Sequence, residues 1–236
     1  MSVRGIGTVV NVLTVLAGTV AGVVLGNRLP ERMRAAVLQV VGLATFVIGG
    51  RDAFGTRNIV FPLVALILGA VIGTALGIEE RLEGLGEAIR RRFETGPDRE
   101  DSRFVEGFVA ASLLFCVGPL TILGSIRDGL GGPDHAQLLL VKAALDGTIA
   151  VAFASTMGWG VGFSALTVIL VQGTLTLAAG AADRVLTERM IVEMSAAGGV
   201  MVMAIGLRLL DLKKVAVASF LPALILAPVG VALFAR

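Results

Sequence analysis

Apolar residues along this chain come in long unbroken runs rather than at alternate positions. Runs of about 20 residues fit helices that cross a bilayer, whereas alternation would fit the strands of a barrel. Eight stretches qualify: 5–26, 33–50, 59–78, 104–126, 136–157, 161–181, 187–207 and 215–234. The predicted fold is therefore an all-α polytopic membrane bundle of seven or eight helices. The lower count holds if 136–157 or 187–207, which carry charges, lies on the surface instead. The pattern changes once, in 79–103. There Ile78, Leu82, Leu85, Ile89 and Phe93 recur at helical spacing among Glu and Arg. That reads as an amphipathic helix at the membrane interface, followed by the linker TGPDRED.

Two stretches resemble each other. ERMRAAVLQVVGLATFVIGGR at 31–51 aligns without gaps on ERMIVEMSAAGGVMVMAIGLR at 188–208. Glu31, Arg32, Met33, Gly42, Ile48, Gly49 and Arg51 match Glu188, Arg189, Met190, Gly199, Ile205, Gly206 and Arg208. Seven of 21 positions agree, where so biased a composition gives roughly two at a fixed register. Ala65 to Leu68 also matches Ala223 to Leu226, and Gly18-Thr19 matches Gly173-Thr174. Spans one to three thus resemble spans six to eight. Five helices separate equivalent ones, so the copies would cross in opposite senses, an inverted-topology repeat of the kind that builds many secondary transporters. The expected division is a first repeat over 1–78, a cytoplasmic amphipathic loop over 79–103, two central helices over 104–158 and a second repeat over 159–236.

Composition agrees with a membrane protein. Of 236 residues, 56% are apolar and 16% charged, against about half and a quarter in soluble domains. Net charge is only +2, so the basic pI of about 9.2 does not describe a nucleic-acid surface, and no nucleic-acid partner is expected. One cysteine, Cys116, and one histidine, His135, exclude an intrachain disulfide and the usual zinc sites. No cofactor and no familiar enzyme motif is evident. With eight spans, one face carries twelve Lys and Arg, from Arg28 to Lys214, and the other carries eight. This bias places the richer face in the cytoplasm and both termini outside it.

Ionisable groups inside spans are costly and are functional candidates. Asp146 lies near the middle of the fifth span, with Lys142 one turn earlier on the same face. Glu106 and Glu193 lie a few residues inside their helices, where an anchoring role and an ion or proton site are both open. Asn11 and Gln172 are amides able to hydrogen-bond across the repeat interface. Ser112, Cys116, Thr148, Ser155 and Thr156 would line the fourth and fifth spans, with Gly118-Pro119 between them. A simple proline kink and a helix broken to free its backbone groups are both open there. Arg51, Arg127 and Arg208 read as snorkelling anchors at span ends. Gly18, Gly22 and Gly26, and likewise Gly69, Gly73 and Gly77, form four-residue ladders that let a neighbouring helix approach.

Several runs have a familiar look. GTVVNVLTVLAGTVAG, RFVEGFVAASLLFCVGPLTILGSI, ALDGTIAVAFASTMGWGVGFSAL, VQGTLTL, MIVEMSAAGGVMVMAIGLRLL and VASFLPALIL together span nearly the whole chain. On these the chain resembles the uncharacterised bacterial inner-membrane family of YqgA and YdfK. Gly118-Pro119 departs from the Gly-Ala expected there. The resemblance implies a multi-pass protein of the bacterial cytoplasmic membrane, sometimes labelled a transport protein, and brings no substrate and no assigned residue. The expectation is a secondary transporter of a small solute or ion, coupled to protons or cations through Asp146, Glu106 and Glu193. Asn11, Gln172, Ser155 and Thr156 would contact the solute. The alternatives are an oligomeric channel with the glycine ladders as subunit contacts, and a non-transporting scaffold or sensor. Expected partners are the lipid bilayer, a small solute or ion, and further copies of the chain.

Overall fold

A computed structural model describes residues 4–93, 103–132 and 134–234. The TGPDRED linker lies outside the described residues. Among the described residues eleven helices follow one another: α1 (Ile6–Gly26), α2 (Glu31–Ala53), α3 (Val60–Ala75), α4 (Ile78–Phe93), α5 (Phe104–Cys116), α6 (Pro119–Leu130), α7 (Gln137–Met157), α8 (Gly160–Leu177), α9 (Ala179–Val185), α10 (Glu188–Leu209) and α11 (Ala223–Phe234). A 3-10 turn at Val217–Phe220 precedes α11. Among the described residues there is no strand. Six segments of the described residues are long and apolar enough to cross a membrane: α1, α2, α7, α8, α10 and Val217–Phe234. The pairs α3–α4 and α5–α6 pass the same test only when each pair is taken together, and they bend by 59° and 61°.

The two bends have different causes. The run 104–126 is not one helix. Val117 is extended and Gly118 has φ 146°, a value that favours glycine. Pro119 then opens α6, where its missing N–H costs nothing. A proline inside a continuous span would have left a kinked helix, but the extended residue and the left-handed glycine before it interrupt the helix outright. At the other bend, Gly77 has φ +62° and lies beyond the end of α3. Gly77 therefore makes the turn into α4, while Gly69 and Gly73 pack against the chain around Ala223 and Ser219. Two further boundaries differ from the apolar runs. The run 161–181 divides into α8 and the separate α9. The run 215–234 is helical in the α sense only from Ala223, because the stretch ahead of it holds the 3-10 turn and Pro222.

Small residues set the helix pairings. A methyl group at Gly18, Gly22 or Gly26 would run into the backbone oxygens of Gly147, Val151 and Ser155 respectively. Both series rise together, so α1 and α7 run parallel. Gly42 faces Gly206 and Gly49 faces Gly199, so α2 and α10 run antiparallel. The pairs Gly69 with Ala223 and Gly73 with Ser219 make α3 and α11 antiparallel as well. Thr19 against Gly162, and Thr8 near Thr176, do the same for α1 and α8. Of the six spanning segments, α10 is the most buried. The outward sides of α1, α2 and α8 expose Val9, Leu13, Val40, Val47, Ile169 and Leu170, as lipid-facing helices do.

The amphipathic segment is bolted to the bundle. Ile78, Leu82 and Ile89 pack on the core, and Phe93 stacks on Phe163 with ring centroids 4.8 Å apart. Glu79 is buried, accepting from Arg208 at 2.8 Å and from the Ala218 amide at 2.7 Å. Arg208, expected as a snorkelling anchor, is thus an internal tie between α10, α4 and the 3-10 turn, and Glu83 also accepts from it. The turns at 27–30 and 158–159 and the start of α5 frame an open cleft of about 620 Å³ lined by Asn27, Glu31, Arg34, Arg103, Thr156 and Trp159.

Candidate functional site

The site forms where α1, α6, α7 and α8 meet. Lys142 and Asp146 are four residues apart on α7, the spacing that sets side chains on one helical face, and they form a buried ion pair. Asn11 of α1 donates from Nδ2 to Asp146 Oδ2 at 3.0 Å. All three side chains are shielded: Asn11 is fully buried, and Lys142 and Asp146 are each 5% exposed. The glycine contacts of α1 on α7 cause this burial, because they bring the helix backbones close enough to close over the pair. Charge is balanced within the pair. Removing one partner of such a pair typically costs about 3–5 kcal/mol, since the survivor is left charged and unsolvated.

Around the pair lie polar groups without partners. Asn11 Oδ1, both side-chain atoms of Gln172 and the Ser125 hydroxyl are buried and make no hydrogen bond. Their level follows from the helix registers. Gly7 abuts Leu139, Thr8 approaches Thr176 to 3.5 Å, and Gly129 abuts Thr176. One turn deeper on α1, α7 and α8 come Asn11, Lys142 and Gln172, while Ser125 on α6 follows Gly124, which itself abuts Leu139. Three helices, α1, α6 and α8, therefore bring unfulfilled hydrogen-bonding capacity to within about a turn of the pair. Buried polar groups are nearly always paired, so such a concentration marks a place built for something other than packing. Cys116, at the end of α5 where the helix breaks, lies within electrostatic reach of Lys142 and Asp146 and beside Thr167.

The other sequence candidates are elsewhere. Glu193 is fully buried on α10, where it accepts from the Thr56 hydroxyl, the Arg57 amide at 2.9 Å and the Asn58 amide at 3.1 Å. It clips the loop ahead of α3. Glu106, half-buried in the first turn of α5, borders a narrow crevice of about 10 Å³ beside Arg208. Ser155 and Thr156 donate to the carbonyls of Ala152 and Phe153 in their own helix. They sit at the far end of α7, nine and ten residues from Asp146, or about 14 Å along the axis. Thr156 lines the open cleft instead. Among the described residues no three of His, Cys, Asp and Glu gather closely enough to hold a metal ion.

One buried pair has no counterpart among the sequence candidates. Asp128 of α6 is fully buried; its Oδ1 lies 2.9 Å from His135 Nδ1, and its Oδ2 accepts the Gly7 amide at 3.1 Å. The signal was the single histidine, seven residues from an aspartate in a glycine-rich stretch. The partner from α1 is 121 residues away.

This architecture, with up to eight crossings and an ion pair sealed among them, defines a multi-pass helical membrane protein. The chain belongs to the family described as protein of unknown function DUF554, whose model matches residues 6–232. It is 32% identical over 225 residues to the uncharacterized protein YqgA of Escherichia coli (strain K12). It is 28% identical over 227 residues to the uncharacterized membrane protein YdfK of Bacillus subtilis (strain 168). Both alignments cover 94% of this chain and 94% of the relative. No solved structure matches it.

Proposed function

We propose that this protein is a secondary transporter of a small solute or ion, coupled to protons or cations through Asp146. The observation that carries the reading is the Asn11–Asp146–Lys142 constellation, buried among unpartnered groups of Gln172 and Ser125. A carboxylate inside a bilayer stays ionised only with a counter-charge at hand. When a proton or cation takes the place of Lys142, the ammonium on the same helix is released, and the packing of α7 against α1 and its other neighbours must rearrange to accommodate it. That is the elementary step a coupled transporter needs.

The helix pairings support an inverted repeat. If residues 31–51 and 188–208 are equivalent, Gly42 corresponds to Gly199 and Gly49 to Gly206. The contact of Gly42 with Gly206 then becomes the contact of Gly199 with Gly49, and both are present. Antiparallel packing of α1 on α8, α2 on α10 and α3 on α11 is what a two-fold axis in the membrane plane produces. The broken α5–α6 segment lies between the repeats, where discontinuous helices commonly serve substrate sites.

The test is flux in proteoliposomes, comparing the native chain with Asp146→Asn over small ions and organic anions, with and without a pH gradient. Gradient-dependent uptake lost in the variant is the expected result. Ohmic current without coupling would replace the transporter by a channel. Equal fluxes in both proteins would remove Asp146 from the mechanism.

A further inference from the structure

Asp128 and His135 form a second buried pair, one helical turn nearer the face of Arg4 and Gly131 than Asn11 is. The Asp128 carboxylate is fully buried and His135 is 8% exposed. Neither belongs to the Lys142–Asp146 pair, yet the two pairs are joined by position. Gly7, whose amide binds Asp128, abuts Leu139, and Lys142 follows Leu139 by one turn. Gly129, next to Asp128, abuts Thr176, and one turn deeper on α8 comes Gln172, while Ser125 lies one turn earlier on α6, beside Gly124 and Leu139. Among the buried atoms without partners, Asn11 Oδ1 and both ends of Gln172 lie one turn deeper than the Asp128–His135 pair, and Ser125 Oγ lies on α6 beside Gly124, at the level of Leu139. We propose that Asp128 and His135 form a second proton-binding site, at the outer end of a polar column that leads through Ser125, Gln172 and Asn11 to Lys142 and Asp146.

The chemistry is a proton transfer. An N–H bond at the imidazole breaks, an O–H bond at the Asp146 carboxyl forms, and Lys142 keeps its own proton while losing its anionic partner. Histidine suits the outer position, because it is the side chain that ordinarily changes charge between pH 5 and 8. A mere clip between α6 and α1 would need only the Asp128 carboxylate and the Gly7 amide. It would not call for an imidazole, nor for unpaired amides beneath. The charged groups on the surrounding elements are Arg4 ahead of α1, Arg127 on α6, Asp134 in the loop, Lys142 and Asp146 on α7, Asp183 and Arg184 on α9, and Glu188, Arg189 and Glu193 on α10. The α8 helix has none. Of these, Lys142 and Asp146 are the buried charges that the column reaches.

This inference deepens the transport reading, and it can be tested without knowing the solute. His135 is the one histidine of the chain, so isotope-labelled histidine gives a single imidazole spectrum in the full-length protein in lipid nanodiscs. A pH titration between 5 and 8 is run on the native chain, Asp146→Asn and Lys142→Met. Asp146 lies seven residues beyond Leu139, about 10 Å along the axis. Unit charges at that distance, at an effective dielectric of ~20, shift a midpoint by about one pH unit. The expected result is that the His135 midpoint falls in Asp146→Asn and rises in Lys142→Met. A second arm follows proton entry into vesicles with trapped pyranine, where His135→Gln and Gln172→Leu are each expected to slow entry several-fold. A midpoint unmoved in both charge variants overturns the proposal and leaves a structural clip. So does proton entry that neither His135→Gln nor Gln172→Leu slows. A shifted midpoint together with solute flux indifferent to Asp146→Asn upholds the second proton site and removes Asp146 from the transport mechanism instead.

Discussion

Asp146 and Glu193 are both carboxylates buried within spanning helices, yet their surroundings differ in kind. Glu193 is met by three neutral donors from one short loop, a hydroxyl and two backbone amides. These donors come from consecutive residues and have little alternative use. Asp146 is met by a charged side chain on its own helix and an amide on another, with further amide groups nearby that have no partner. A carboxylate saturated by backbone donors is a fixed fitting, because moving it would strand several donors at once. A carboxylate balanced by one flexible ammonium can exchange that partner for a proton or a cation at the cost of a single rearrangement. Burial alone therefore does not mark a functional carboxylate in a membrane protein; the identity of its partners does.

The comparison can be broken most severely at Lys142. In Lys142→Ala the Asp146 charge stays buried without its counter-ion, and we expect a loss of about 3–5 kcal/mol, read as thermal unfolding in detergent. The Lys142→Met/Asp146→Asn double variant should recover most of that stability while remaining inactive in flux assays. Next in size is Glu193→Gln. The new amide turns a donor toward donors, so a loss of about 1–3 kcal/mol is expected, with solute flux per folded molecule retained. A flux defect as deep as that of Asp146→Asn would erase the distinction between the two carboxylates. Smaller still is Gln172→Leu. It removes a buried amide that has no partner, so stability should stay level or rise by up to about 1 kcal/mol while flux falls.

The smallest effect is expected at Glu87 on α4. Arg90 and Arg91 hold its carboxyl down to about 2. A carboxylate depressed in the folded state favours folding at neutral pH and loses that contribution as pH falls from the ordinary carboxylate range towards 2. Glu87→Gln should leave stability at pH 7 nearly unchanged, because the group is only partly buried, at 30% side-chain exposure, and its ion pairs are screened by solvent. It should also flatten the acid limb of the stability profile below pH 4.5.

Much of this contrast was legible in the sequence, and the rest was hidden for physical reasons. The spans declared themselves through apolar runs, and α1, α2, α7 and α10 end within about three residues of the runs that predicted them. Lys142 with Asp146 is a local relation, four residues on one helix, so spacing alone revealed it. Asn11 joins them across 135 residues, and no periodicity encodes which amide will meet which carboxylate. Glu193 looked like Asp146 because its three donors sit more than 130 residues away in a loop with no motif. The break at Gly118-Pro119 was visible as composition. Whether it bends or interrupts the helix depended on Val117 turning extended, and a valine in an apolar run gives no sign of that. The division of α8 from α9 falls at Ala178, between Leu177 and Ala179, residues that give no sign of a break, with Gly180 already inside α9.

The parallel seam between α1 and α7 also bears on how the chain enters the bilayer. The first helix emerges from the ribosome some 130 residues before its partner, so the glycine groove and the Asn11 amide face lipid or other helices until α7 arrives. Asn11 is uncharged and can wait at modest cost. Two isolated charges on α7 would each oppose insertion by roughly 2.5–3.5 kcal/mol. Placed one turn apart, Lys142 and Asp146 neutralise each other within the helix that carries them. The membrane-insertion machinery is thus presented with a self-compensated segment, and the docking of α7 onto α1 becomes a late step, driven by the close glycine packing and completed when Asn11 finds its carboxylate.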